Sequence, residues 1–290
     1  MGSIHVNITG GLGNQLFQYA FARYLQNKTG YDILLNTYEL DTYDKKREFE
    51  LDKYILNDRV KREKNRLPWY VHRRNYISKI LRNLSPRLYY SFFSLRGCYI
   101  WYGEEHIDCV CKNIEDDIYV GGYWQSPAYF ADIVDVLRTE LVLKEKTRDS
   151  EAALIGRIMN SESICLHVRR GDYVNSDYEV CTLDYYNKAI ECIKAVFRDP
   201  VFYVFSNDID WCKQNINAGG DICYVEGNRA AVMDLFLMSL CTGFIISNST
   251  FSWWAQYLSN NENKIVCAPS VWHKKKNNIE LYLPEWKIIV

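Results

Sequence analysis

Apolar and polar positions along the chain fall into two kinds of pattern. Near the start, Ile4, Val6 and Ile8 alternate with polar neighbours and lead into Gly10-Gly11-Leu12-Gly13. After that turn Leu16, Phe17, Tyr19, Ala20, Ala22, Tyr24 and Leu25 recur at helical spacing as far as Gly30. This order predicts strand, glycine turn, helix. Residues 32–35 read as a second short strand, so the chain opens a βαβ unit and a parallel sheet. From there to about Leu143 the signals are weak and mixed. The polar stretch 144–150 is the expected boundary between a domain over residues 1–148 and another over 149–290.

Beyond that boundary the alternation sharpens. Apolar strands are predicted at 163–168, 201–205, 222–225, 243–247 and 265–268, with helical patterns at 183–197, 229–241 and 251–258. Short apolar strands between amphipathic helices are the pattern of a doubly wound parallel sheet buried on both faces. The expected fold class is therefore α/β, with chemistry at the carboxyl ends of strands, where loops meet helix N-termini.

Composition narrows the function classes. With 290 residues, 48% apolar and 24% charged, the chain excludes collagen, coiled coil and disorder. No apolar run reaches the roughly 18 residues of a membrane span. The first residues carry no charged segment leading into an apolar one, which reads as a leaderless, cytoplasmic protein. The ten cysteines lie mostly in segments that read as core, so reduced thiols are expected. Cys98, His106, Cys109 and Cys111 lack the usual zinc spacing and are read as ordinary thiols and a loop histidine. Charge is uneven: residues 44–96 hold 15 basic against 6 acidic side chains in a chain of net charge −1. A solvated face is the plain reading of that surplus. An anionic membrane surface comes second, because Ile77, Ile80, Leu81 and Leu84 stand at helical spacing beside Lys79, Arg82 and Arg87, and nucleic acid is not expected as a partner.

Four segments carry candidate chemistry. In Gly10-Gly11-Leu12-Gly13-Asn14-Gln15 the glycines allow close backbone approach to a ligand and the amides stand at a helix start. A tight strand-to-helix turn explains the same spacing, and Leu16 breaks the dinucleotide fingerprint. His167-Val168-Arg169-Arg170-Gly171-Asp172 follows a predicted strand, where a guanidinium is a natural bidentate clamp for a diphosphate. The expectation is that one arginine clamps and the other braces the loop through a carboxylate, Asp172 being nearest. Asn207, Asp208 and Asp210 form a second strand-end cluster, read as a helix cap ahead of a metal site. Ser247, Asn248, Ser249, Thr250 and Ser252 open a helix with hydroxyls and backbone N–H groups suited to phosphate, with Asp234 on the helix before; Trp253 and Trp254 read as core.

Together, GGLGNQLFQYAFA at 10–22, HVRRGDY at 167–173, SNDIDWCK at 206–213 and DLFLMSLCTGFIISNSTFSWWAQYL at 234–258 closely resemble the α-1,2-fucosyltransferase family of inverting glycosyltransferases. The segment from about Asp41 to Glu115 carries none of the likeness. The resemblance implies a GT-B-like pair of Rossmann-type domains facing each other across a cleft, an acceptor-side domain at 1–148 and a GDP-fucose-binding domain at 149–290. It implies GDP-β-L-fucose as donor substrate, no metal and no cofactor, and a galactose-terminated oligosaccharide or lipid-linked glycan as acceptor. Carried over, it puts His167, Arg169 and Arg170 at the diphosphate, with Asn207, Asp208, Asp234, Ser247, Asn248, Ser249, Thr250 and Ser252 around the guanosine and phosphates. Gly11, Gly13, Asn14 and Gln15 would close from the other domain. An inverting reaction also wants a base, for which Asp172, Asp177 and Glu179 are the nearby carboxylates. Rival readings are transfer to another hydroxyl or from another GDP-sugar, and a lectin without turnover, which would have no use for a diphosphate clamp.

Overall fold

The structure is a computed structural model that describes residues 2–44, 46–69, 76–85, 88, 99–101, 117–144, 151–275 and 279–290. Most of the polar stretch at 144–150 lies outside these residues. So do Arg87 of the basic segment and the group Cys98, His106, Cys109 and Cys111. The chain divides into two compact units, Met1–Val142 and Leu143–Val290.

Unit 1 contains β1 (Ser3–Asn7), α1 (Leu12–Thr29), β2 (Asp32–Asn36), α2 (Tyr38–Tyr43), β3 (Val60–Glu63), α3 (Tyr76–Leu84), β4 (Tyr99–Trp101), β5 (Ile118–Gly121) and α4 (Val134–Glu140). Its five strands pair in parallel in the order β3-β2-β1-β5-β4. The alternation at the start of the chain becomes β1, with Ile4 and Val6 buried against the helical layer that Leu16, Phe17 and Ala20 bring from α1. Arg23 of α1 forks onto Glu140 of α4 at 2.7 and 2.8 Å, and the Tyr19 hydroxyl donates to the same carboxylate at 2.6 Å. Phe21 stacks on Trp124 with ring centroids 3.7 Å apart, which makes Trp124 core.

Unit 2 contains α5 (Ala152–Met159), β6 (Glu162–Val168), α6 (Leu183–Lys194), β7 (Pro200–Ser206), α7 (Ile209–Asn215), β8 (Ile222–Tyr224), α8 (Ala231–Ser239), β9 (Gly243–Ile245), α9 (Thr250–Leu258), β10 (Ile265–Pro269) and β11 (Lys287–Ile289). The six parallel strands run β11-β10-β9-β6-β7-β8, the order of a dinucleotide-binding sheet. Ile164, Leu166, Phe202, Val204 and Ile245 from the sheet pack with Tyr186, Ile190 and Ile193 of α6. Trp253 and Trp254 are fully buried, as the core reading expects. The expectation of α/β architecture with two Rossmann-type domains is met. The periodicity reading missed β3, β4, β5 and β11, which have only three or four residues each. The edge strand β3 (Val-Lys-Arg-Glu) also carries charges that blunt a sheet edge and conceal its strand character.

Candidate functional site

In a doubly wound sheet the ligand crevice opens where successive connections leave to opposite sides. In unit 2 that point is the carboxyl end of β6, flanked by β9 and β7. Three of the four sequence blocks emerge there: residues 167–173 from β6, 206–213 from β7 and the serine-rich turn from β9. His167, buried at 5% exposure, joins two of them through its Nδ1, 2.9 Å from Ser247 Oγ. Burial, then the nearby charge of Arg169, lowers its pKa to about 3. The imidazole is therefore neutral at physiological pH and brings no positive charge to an anion.

The two arginines have different surroundings. Arg170 donates from Nε to Asp208 at 3.1 Å, and its guanidinium lies 4.1 Å from the ring centre of Trp211. Its backbone N–H donates to Asn207 Oδ1 at 2.9 Å. It is the brace. Arg169 donates from Nη2 to Asp172 at 2.7 Å and lies over the Tyr173 ring at 5.3 Å, while its buried Nε has no hydrogen-bond partner. Asp172, the carboxylate expected to brace the loop, therefore holds Arg169, and Asp208 holds Arg170. Gly171 makes the tight turn possible. Its φ is +44°, and a Cβ there would run into Asn207 Nδ2.

Asn207 and Asp208 thus organise the arginine loop. Asp208 also caps α7, accepting from Trp211 N at 3.3 Å, the cap that the sequence favoured. Among the described residues no group of three or more His, Cys, Asp and Glu is placed to hold a metal ion. Ser249 caps α9 by accepting from Phe251 N, and Ser252 Oγ donates to the Ser247 carbonyl, so the turn is self-braced ahead of the first residue of the helix, Thr250. Asn248 faces inward instead. Its Nδ2 donates to the carbonyls of Tyr178 and Trp272, both at 2.9 Å, and its Oδ1 accepts from Cys181. The structure places its side chain as a tie between loops rather than as a ligand contact.

Asp234 on α8, the helix packed against α9, is mostly buried. Burial raises its pKa to about 6 despite Arg229, whose Nη1 stands 3.9 Å away while its Nε is committed to Glu151 at 2.8 Å. Its Oδ1, the oxygen that faces Arg229, is buried and accepts no hydrogen bond from the described residues. Of the candidate bases, Asp177 is held below the usual carboxylate range by a hydrogen bond from Lys275 at 2.8 Å, and Glu179 accepts from Asn175 N at 3.1 Å. Asp172 is half-exposed on Arg169.

In unit 1 the corresponding point is the end of β1, between β2 and β5. Gly10 has φ +79°, and a Cβ there would meet Asn14 Nδ2 at 2.7 Å. Gly11 precedes α1 and Gly13 is buried within it. Asn14 Oδ1 accepts from Gln125 at 2.9 Å. Gln15 is fully buried: its Nε2 donates to the carbonyls of Gly10 (3.0 Å) and Glu48 (2.7 Å), and its Oε1 accepts from Glu50 N at 3.0 Å. It braces the glycine turn and leaves no amide group for a ligand. Sequence reasoning missed Trp211, Tyr173, Arg229 and Gln125. The spacing Asp208-x-x-Trp211, a cap followed by an aromatic one turn on, was the signal for the first.

Comparison with known proteins agrees with this geometry. The profile of glycosyl transferase family 11 matches residues 3–290. The chain is 31% identical over 287 residues to an α-1,2-colitosyltransferase of Escherichia coli, covering 95% of this chain and 94% of that one. It is 27% identical over 205 residues to the galactoside α-(1,2)-fucosyltransferase 1 of Plecturocebus brunneus, covering 64% and 55%. Among solved structures the fucosyltransferase NodZ from Bradyrhizobium shares the fold, with a TM-score of 0.59 and 16% identity over 88% of this chain and 92% of NodZ. The chain thus belongs to glycosyl transferase family 11, the α-1,2-fucosyltransferase family that its motif blocks resemble, and is a glycosyltransferase.

Proposed function

We propose that this enzyme transfers L-fucose from GDP-β-L-fucose to the 2-hydroxyl of a galactoside with inversion at the anomeric carbon. The observation that carries the reading is Arg169: a guanidinium at the carboxyl end of β6, hydrogen-bonded to the half-exposed Asp172 and lying over the Tyr173 ring, with Nε unpaired. Such a group can transfer its hydrogen bonds to two oxygens of an arriving diphosphate, and it is always charged. As the bond between the anomeric carbon and the phosphate oxygen breaks, negative charge grows on the departing β-phosphate, and a fixed guanidinium stabilises that charge. The first turn of α9 adds backbone N–H groups and the positive end of its dipole.

His167 sets the spacing of the two strand ends as a neutral group. Asp234, whose Oδ1 accepts no hydrogen bond from the described residues, suits the N1–H and N2–H donors of guanine. When Arg169 turns to the diphosphate, Asp172 no longer accepts its hydrogen bond and is our candidate to take the proton of the acceptor hydroxyl as its oxygen attacks the anomeric carbon from the opposite face. Gly11, Gly13 and Asn14 in unit 1 are the acceptor-side candidates.

The likeness to a colitosyltransferase supports a second reading, transfer of colitose, which lacks the 3-hydroxyl of fucose. Incubation with GDP-fucose or GDP-colitose and a panel of galactosides, with linkage analysis of the product, tests both. An α-1,2-fucoside is expected. A colitoside alone selects the second reading, and a 1,6 link or no transfer overturns both.

A further inference from the structure

We propose that α3 docks the protein on an anionic membrane surface. Ile77, Ile80, Leu81 and Leu84 fall at i, i+3, i+4 and i+7, one stripe of the helix, and are 59%, 40%, 40% and 77% exposed. Ser78 is fully buried, so α3 turns a small polar residue inward and its apolar stripe outward, the reverse of a helix that covers a core. No other described helix exposes more than one large apolar side chain. The sequence around the stripe is basic. Residues 64–103 hold eight Lys or Arg and no Asp or Glu, in a chain of net charge −1, and Lys79 is exposed on the polar side of α3.

A bilayer interface fits both features at once. Apolar side chains enter the boundary between headgroups and acyl chains without needing a complementary cavity, and lysine stems reach back to anionic headgroups. At nine residues α3 is far shorter than the roughly 20 of a membrane span, so it would lie in the plane of the surface. Four apolar side chains bind weakly by themselves, and electrostatic attraction is the required second signal. A protein partner would need both an acidic rim and a groove matched to this stripe. A bilayer needs only the exposed stripe and the basic charge together, with no matched groove, so the lipid surface is favoured over a second copy of the chain.

The test is sedimentation of the full chain with phosphatidylcholine vesicles, with and without about 30% phosphatidylglycerol. Binding is expected to the anionic vesicles at about 50 mM salt, weakening roughly tenfold by about 300 mM as charges are screened, with little binding to neutral vesicles. The Ile80→Ser/Leu81→Ser double variant should lose binding roughly tenfold, and Lys79→Glu should lose it on anionic vesicles only. Both should keep the parent melting temperature and the parent rate of transfer to a soluble acceptor. Absence of binding in the parent, salt-independent binding, or equal binding by the double variant would overturn the proposal. So would a concentration-dependent dimer that the double variant abolishes.

Discussion

The two sheets present different chemistry at equivalent places. At the end of β6 in unit 2 stand two arginines, each on its own carboxylate. At the end of β1 in unit 1 stand glycines and amides, Gln15, Gln18, Asn14 and Gln125, bonded to one another and to loop carbonyls. A charged crevice has charge to exchange with a diphosphate. An amide-braced glycine turn has shape and neutral hydrogen bonds, which suit a hydroxyl-rich acceptor. One topology can therefore carry two kinds of strand-end chemistry, because topology places the loops and side chains supply the selectivity.

The largest expected effect tests the charged side. Arg169→Lys should lower kcat by about two to three powers of ten and weaken GDP binding much less, because the ammonium keeps the charge but not the fork. Steady-state kinetics with GDP titration calorimetry reads both. Near-normal turnover in folded Arg169→Lys and Arg170→Lys proteins would remove the distinction between the two crevices.

Next come the ties. Gln15→Ala in unit 1 and Asn248→Ala in unit 2 should each reduce stability by about 1–3 kcal/mol, since each strands buried backbone groups. Urea unfolding measures this. Unchanged stability with lost substrate affinity would return either residue to direct ligand contact.

A smaller effect follows from Asp234. Its folded pKa of about 6 lies above the ordinary 3.8, so its contribution to native stability is largest at low pH and is lost as pH rises through that window. A guanine that donates to the carboxylate needs the ionised form. GDP affinity should therefore hold above pH 6 and fall by up to about tenfold per unit below it. Asp234→Asn should flatten that slope in titration calorimetry, and an unchanged slope would place the guanine elsewhere.

The smallest expected effect is none. Transfer should survive EDTA, because Asp208 is engaged by Arg170 and by the start of α7. Loss of transfer on chelation, with recovery in Mn²⁺, would make a metal the partner of the charged crevice.

Legibility followed the surrounding pattern and local bonding. Buried strands such as β6, β7 and β10 wrote themselves into the chain as apolar runs, and candidate residues lay directly beyond the ends of β6 and β7. Strands β4 and β5 stand in the stretch of weak, mixed signals, whereas β8 and β9, with three residues each, stand between clear helical patterns and were legible. The motif blocks likewise identified the loops that matter, but side chains within one block proved to have opposite duties. His167 and Asn248 are turned inward, while Arg169 keeps an unpaired Nε.

By itself the sequence determined the α/β architecture and the strand-end location of the arginines, because short-range periodicity and glycine placement are local properties of the chain, while the likeness to the family lay in its four motif blocks. Which carboxylate each arginine meets was decided only by tertiary structure. Asp208 and Trp211 lie some 40 residues from Arg170 in the chain, and it is the parallel pairing of β6 with β7 that brings them to its side. The same holds for Asp234, whose raised pKa comes from desolvation by the packed fold, a quantity that no run of neighbouring residues encodes.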